Sequence, residues 1–273
     1  MSAIRLSRVR LFIHHDSYAY LEHRRPLTAA LVRVAGPSAT HIVLCEDMKQ
    51  RLLELYGRSL QVVVVPNSTN TELPFRQPRV RAKLTTIGFI SNLSRSKGVV
   101  EFLDIAERVC SARPDVRALL AGPISEASLV PVIKQRVLTA SWIKYTGPVY
   151  GQDKSNFYSD IDVFLFPTRH ADEADPRVIN EALAHGVAVI ASRRGCIASV
   201  LEGGGGTVIE NGVNFVRDAE ELILKWSEDP VVFASMSAGA LANSARSSAS
   251  HHSGLRAIID EMVGTPKPPS EPA

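Results

Sequence analysis

Apolar runs of strand length recur along the chain, each ended by a turn residue: QVVVVPN (61–67), LTTIGFIS (84–91), VRALLAG (116–122), WIKYTG (142–147), DVFLFP (162–167) and VAVIAS (187–192). They are rich in Val, Ile and Phe and do not alternate cleanly with polar residues. That is how strands buried on both faces of a parallel sheet read. Between them lie stretches of helical period. From Gly98 to Arg113 the apolar set Val99, Phe102, Leu103, Ala106, Val109 and Cys110 falls at three- and four-residue steps. This predicts one helix face lying on the sheet, stopped by Pro114; segment 126–138 repeats the pattern more weakly. Strand–helix units joined by short links predict an α/β fold with a doubly wound parallel, Rossmann-like sheet and right-handed crossovers.

Several stretches break this rhythm. Ser68 to Lys83 is polar, contains Pro74 and Pro78, and reads as a linker. From Asp218 onward no strand is expected. Helical stretches near 218–227, 230–246 and 254–263 precede a Pro-rich tail, TPKPPSEPA, expected to be disordered. Four glycines, 203–206, read as a mobile loop, because no helix start follows them to make a phosphate cradle. The first 70 residues offer a strand-like run at 9–13, a helix through 21–34, a strand at 41–45, a helix at 47–56 stopped by Gly57, and the run at 61–65. These are too few elements to close a doubly wound domain. The expected division is a partial first domain (1–70), a main domain (71–252), and a terminal helix with its tail (253–273). An exposed apolar patch on residues 1–70, and poor solubility, are expected with it.

The segment DVFLFPTRHADEADPRVINEALAHGVAVIAS carries the most chemistry. A buried strand ends at Pro167 and a polar loop follows. Asp175–Pro176 then reads as a helix start, with Asp as N-cap and Pro at the first helical position. Gly186 closes that helix. A helix N-terminus is thus expected at the carboxyl edge of a parallel sheet, where open α/β sheets bind nucleotides and where free N–H groups favour phosphate. Glu173 lies in the loop and Glu181 inside the helix. A carboxylate accepts through two oxygens and suits a vicinal diol, so the two would hold different polyols flanking a diphosphate; the alternative is two solvated surface charges. A second strand-to-helix turn, LTTIGFISNLSRSKGVVEF, puts Asn92, Arg95 and Lys97 before the helix that Gly98 opens. It has neither Walker nor dinucleotide glycines, so an ATPase or a dehydrogenase is not suggested.

Composition narrows this little. The 273 residues are 45% apolar and 22% charged, with a formal net charge of +3 and no aromatic-interleaved basic block, so no nucleic-acid partner is expected. A weakly basic surface leaves room for an anionic membrane face. Cys45, Cys110 and Cys196 are far apart and odd in number. They indicate neither a disulfide framework nor a zinc site and point to a reducing compartment. His14, His15 and Asp16 are adjacent with no third ligand at suitable spacing, so no metal is expected. No apolar run is long enough to span a membrane, and the N-terminal one is too short for a signal peptide.

In this order, about 80 residues apart, the two loop segments resemble the C-terminal domain of family 4 retaining glycosyltransferases of the GT-B fold, group 1 type. The carrying motif is a Glu, seven residues, then Glu-Ala: here Glu173-ADPRVIN-Glu181-Ala182, with GVAVIAS and Gly195 downstream. The resemblance runs from about residue 40 to 250. It implies a GT-B C-terminal domain preceded by a fragment of the N-terminal Rossmann-like domain. It also implies that Glu181 binds the ribose of a nucleoside diphosphate, that Glu173 binds the donor sugar, and that Lys97 neutralises the leaving diphosphate. The nucleobase would lie near Gly147, Val149 and Tyr150, and a His from residues 14–15, by slight preference His15, would face the donor across the cleft. The family usually carries an Arg five residues before that Lys; Asn92 stands there instead, so charge would be weaker or borrowed from Arg95.

The function implied is transfer of a sugar, with retention, from a UDP- or GDP-sugar donor to a glycan or glycolipid acceptor in surface polysaccharide or glycoconjugate assembly. Its expected setting is the cytoplasm or the inner membrane face, and no cofactor or metal is called for. The alternatives are a non-catalytic or inactive nucleotide-sugar-binding fragment, arising from a shortened reading frame or a decayed gene, and, less favoured, a nucleotide-sugar epimerase.

Overall fold

The computed structural model describes residues 10–67, 77–210 and 214–263. Two parallel sheets form. In the first, β1 (Phe12–His14), β2 (Thr40–Val43) and β3 (Gln61–Val64) lie side by side in that order. Helices α1 (Ala19–Glu22) and α2 (Pro26–Ala35) connect β1 to β2, and α3 (Glu46–Tyr56) connects β2 to β3. The single helix expected over 21–34 is divided because Pro26 sits at the start of α2, where its missing N–H and fixed φ begin a helix and cannot continue one. Leu27, Leu31 and Val34 of α2 are exposed, an apolar patch within residues 1–70.

The second sheet holds β4 (Thr86–Ile90), β5 (Arg117–Ala121), β6 (Ile143–Tyr145), β7 (Val163–Phe166), β8 (Ala188–Ser192) and β9 (Gly206–Ile209). Their spatial order is β6-β5-β4-β7-β8-β9, every neighbouring pair parallel. The crossovers are α4 (Val99–Ala112), α5 (Leu129–Thr139), α6 (Gly151–Asp160), α7 (Arg177–Ala184) and α8 (Ile197–Glu202), and α9 (Phe215–Glu228) and α10 (Pro230–Val263) follow. Strands β7 and β8 are buried at every position, which explains their unalternating sequences. Phe89, Phe102, Phe164 and Phe166 are fully buried across the β4–β7 seam and its covering helix; each contributes roughly 1.5–3 kcal/mol through burial alone. The α/β doubly wound, Rossmann-like architecture is as expected.

From β4 the chain moves one way to β5 and β6, then returns to place β7 on the other side of β4. That reversal is a topological switch point, where the loops leaving two adjacent strands part and open a crevice. Arg81 secures the opposite edge. It is buried and donates to the carbonyls of Ile161 (2.8 Å), Tyr158 (2.8 Å) and His185 (2.5 Å), with Asp162 at 3.5 Å. Burial lowers its pKa to about 10, against the pull of Asp162, so it stays charged at neutral pH.

Three expectations need correction. The stretches 230–246 and 254–263 form one helix, α10, of 34 residues. Gly254 lets this helix approach the backbone of β3, where a Cβ would stand 2.9 Å from the Val64 carbonyl oxygen. The glycines at 203–206 are not a free loop: Gly205 has φ +82° and packs on α10, where a Cβ would collide with Ala240. Asn243 fastens the same turn by donating to the carbonyls of Val200 (2.7 Å) and Gly204 (2.8 Å). Thirdly, Cys45 and Cys196 are joined in a disulfide across 151 residues, with Cα atoms 5.9 Å apart, and only Cys110 is free. Their spacing conceals this because the partners belong to different sheets and meet only when the sheets pack. The tail at 264–273 and most of the linker, 68–76, lie outside the described residues.

Denatured without reductant, the chain is expected to show one thiol reactive to a maleimide, and three after reduction. Cys196→Ser should lower stability by about 3 kcal/mol in denaturant titration under non-reducing conditions. Three reactive thiols in the unreduced chain would contradict the cross-link.

Candidate functional site

The loops that part at the switch point are 91–98, after β4, and 167–176, after β7. They enclose a cavity of about 330 Å³ whose wall includes Ile90, Asn92, Lys97, Gly122, Val149, Tyr150, Lys154, Phe166, Glu173 and Arg177. Lys97 Nζ lies 2.6 Å from Glu173 Oε2, and Thr168 Oγ1 donates to the same oxygen at 3.1 Å. The lysine side chain is 21% exposed and the glutamate 9%, so the pair is largely desolvated but open to the cavity on the lysine side. The loops end in helices α4 and α7, and neither first turn is capped by a side chain. Their amide ends and dipoles thus remain available to an anion.

The Glu173 loop is held from both sheets. Ser17 Oγ, just after β1, donates to Asp172 Oδ1 at 2.7 Å. Asn67, just after β3, donates from its backbone N–H to Asp175 Oδ2 (2.7 Å) and from its side chain to the Asp175 carbonyl (2.9 Å). Asp175 is therefore not the N-cap that the sequence suggests. Pro176 occupies that position, and the Asp175 carboxylate accepts instead from Asn67 and from Asn180 Nδ2 (3.1 Å). Burial pushes its pKa up, while the Asn67 and Asn180 hydrogen bonds oppose the rise. Beneath the loop, Gly195 has φ +47°, and a Cβ there would collide with the carbonyl oxygens of Glu173 and Ala174. Cys196, next in the chain, donates its N–H to Ala174 O at 2.7 Å and carries the disulfide to α3.

Of the residues singled out in the sequence, Asn92, Lys97, Val149 and Glu173 meet on one cavity wall. Gly147, Glu181 and His15 do not reach it. Gly147 acts one layer behind, its carbonyl accepting from Gly122 N–H at 2.8 Å. Glu181 is buried on α7, where Oε1 takes Lys154 Nζ at 2.6 Å and Oε2 takes the Tyr158 hydroxyl at 2.8 Å. His15 is buried at the end of β1, with Nδ1 2.6 Å from the Tyr20 hydroxyl and Nε2 2.9 Å from His41 Nδ1. Its neighbour His14 is exposed. Arg95 does not supply the missing cation: its backbone N–H and guanidinium are engaged by Glu126, at 2.8 and 3.9 Å.

The charges that sequence reasoning missed are Lys154 and Arg177. Arg177 directly follows the Asp-Pro pair and was legible as a first-turn cation. Lys154 had no signal beyond its place on a weakly amphipathic helix. Among the described residues, no group of three or more His, Cys, Asp or Glu is disposed to hold a metal ion, and no helix is long and apolar enough to cross a membrane.

Comparison with known proteins adds to this geometry. The family described as glycosyl transferases group 1 matches residues 85–227, just over half of the chain. The phosphatidylinositol N-acetylglucosaminyltransferase gpi3 subunit of Schizosaccharomyces pombe is 22% identical over 193 residues, covering 70% of this chain and 42% of that protein. The chain thus spans less than half the length of this curated relative. Among solved structures, Anabaena HepE in complex with UDP superposes with a TM-score of 0.75 at 19% identity, over 95% of this chain and 74% of that one. The pneumococcal O-GlcNAc transferase GtfA, in complex with UDP and GlcNAc, gives 0.73 at 13% identity, over 93% and 53%. The fold is that of GT-B glycosyltransferase structures.

The buried histidine pair makes the first sheet sensitive to acid. Burial, aided by His41, lowers the His15 pKa from 6.5 to about 4. The folded chain therefore binds fewer protons than the unfolded one, and the stability present above pH 6.5 is lost as pH falls toward 4. The thermal midpoint is expected to drop across that window, and to drop less in His15→Gln; identical profiles would place the sensitivity elsewhere.

Proposed function

The chain belongs to the group 1 glycosyltransferases, and on that premise we propose that the switch-point cavity binds a nucleoside diphosphate sugar and hands its sugar to a glycan or glycolipid acceptor. The observation that carries this reading is the Lys97–Glu173 pair, 2.6 Å apart on the cavity wall and flanked by two uncapped helix starts. A diphosphate leaving the sugar gains negative charge in the transition state. Lys97 and the amide ends of α4 and α7 would take up that charge in a partly dry site, where preorganised donors count most. Glu173 anchors Lys97 through Oε2, which leaves Oε1 to accept from hydroxyls of the donor sugar.

On this reading the base lies beside Val149 and Tyr150, with Gly147 shaping the turn, and Glu181 serves the ribose. UDP is favoured over GDP because the HepE and GtfA structures hold UDP. Transfer with retention in the manner of family 4, and a role in surface polysaccharide or glycoconjugate assembly at the inner membrane face, complete the reading. Positive charge comes from Lys97, from Arg177 on the same wall and from the helix ends, so no metal is invoked. Asn92 brings no charge to the place where the family usually has arginine, so leaving-group stabilisation rests more heavily on Lys97. A second reading is donor binding without transfer: the cavity residues named here all serve the donor, and none is assigned to an acceptor.

A labelled-donor assay separates the two. Transfer to an acceptor, or slow donor hydrolysis, supports the enzyme, whereas saturable UDP binding with no turnover supports the binding module. Glu181→Ala is expected to weaken UDP by about tenfold, about 1.4 kcal/mol, measured calorimetrically. Glu173→Ala should weaken the sugar-bearing donor more than free UDP. Unchanged binding in both variants would sink the site assignment.

A further inference from the structure

Glu181, the carboxylate proposed to serve the ribose, does not itself line the cavity that the ligand would enter but sits behind Lys154. It borders a space of about 10 Å³ shared with Lys154, Ser155, Tyr158 and His185, about the size of a single water. Lys154 lines both that space and the 330 Å³ cavity, and its ammonium sits 2.6 Å from Glu181 Oε1. A group entering from the cavity therefore meets the Lys154 ammonium before it meets the carboxylate.

We infer that Lys154 is a ligand-contacting, specificity-determining residue, and that Lys154 and Glu181 together read a ribose diol. The inference rests on the nucleoside diphosphate reading given above. Its chemistry follows from donor and acceptor counts. An ammonium has three N–H donors, of which Glu181 takes one; a carboxylate has about four acceptor positions, of which Lys154 and Tyr158 take one each. A hydroxyl is both donor and acceptor. One diol oxygen can thus accept from Lys154 while the hydroxyl hydrogens go to Glu181, completing both partners. A deoxyribose removes one such hydroxyl and leaves buried polar groups unpaired, which is the strongest means a site has of rejecting an analogue.

The cavity has two lysine–glutamate pairs at or behind its wall. Lys97 is held by Glu173 at 2.6 Å beside the helix starts, and Lys154 by Glu181 at 2.6 Å on the nucleoside side. The lysines are 21% and 24% exposed and the glutamates 9% and 5%. In each pair the buried glutamate fixes the lysine, and the lysine faces the cavity. At the first pair the expected partner is a phosphate. At the second it is a neutral sugar hydroxyl, for which a fixed point charge discriminates by geometry and not by total charge.

The experiment is a calorimetric titration of wild type, Lys154→Met and Lys154→Arg with UDP, GDP, 2′-deoxy-UDP and inorganic pyrophosphate, with circular dichroism to verify folding. Lys154→Met, of similar length and uncharged, is expected to bind UDP about tenfold more weakly. It should leave pyrophosphate unchanged and shrink the preference for UDP over 2′-deoxy-UDP, while Lys154→Arg retains most of that preference. Equal or tighter UDP binding by Lys154→Met would show that the lysine merely covers Glu181 and would overturn the inference. Parallel weakening of UDP and pyrophosphate would overturn it too, by making Lys154 a phosphate contact. If wild type bound pyrophosphate but neither UDP nor GDP, the nucleoside diphosphate reading itself would fall, and this inference with it.

Discussion

Everything in the site depends on one constraint, that β4 and β7 are hydrogen-bonded neighbours although 72 residues separate Ile90 from Asp162 and their loops lead to opposite halves of the sheet. The crossovers carry the chain outward from β4 to β6, and it then returns to start again at β7. The two loops at that seam have no strand between them, so they part. The space between them is bounded by the starts of α4 and α7, which supply positive potential before any side chain is counted. Lys97 and Glu173 are brought within hydrogen-bond reach by this topology, and their buried pair in turn holds the loops at a fixed separation.

The second sheet does not act alone. The loop carrying Glu173 is pinned on one side by Gly195 and the backbone of Cys196, and on the other by Ser17 and Asn67 from the ends of β1 and β3. Ala174 and Cys196 even belong to the apolar cluster of the first sheet, alongside Val43, Leu44, Met48 and Leu52. The residue that anchors Lys97 is thus held by contacts from both sheets.

Strands β7 and β8 were legible because they are buried on both faces, which leaves unbroken apolar runs. Helix α4 was legible from its apolar face. Strand β9 was not read as such: four residues beginning with a glycine carry too weak a pattern. Asn92, Lys97 and Glu173, which line one cavity wall, were singled out because each sits in a loop that a strand or helix boundary marks; Glu181 was singled out with them but lies inside α7 and off that wall. Their pairing was not legible. Which lysine meets which glutamate depends on loop paths across 76 residues in one case and on the rotation of α6 against α7 in the other, and neither leaves a periodic trace. Asp175 misled for a related reason. It has the composition of a cap, but its carboxylate found better donors in Asn67 and Asn180. The Cys45–Cys196 bond joins residues that local sequence gives no cause to associate.

That bond also alters what the chain is as a covalent object. The backbone passes from the first sheet to the second through residues 68–83, and Cys45–Cys196 makes a second, independent covalent route between them. The protein is therefore a closed ring between these two points and not an open string. A single nick anywhere along residues 46–195 would leave both pieces bound in one molecule, and the half-sites at the cleft would remain tethered to each other at a high effective concentration.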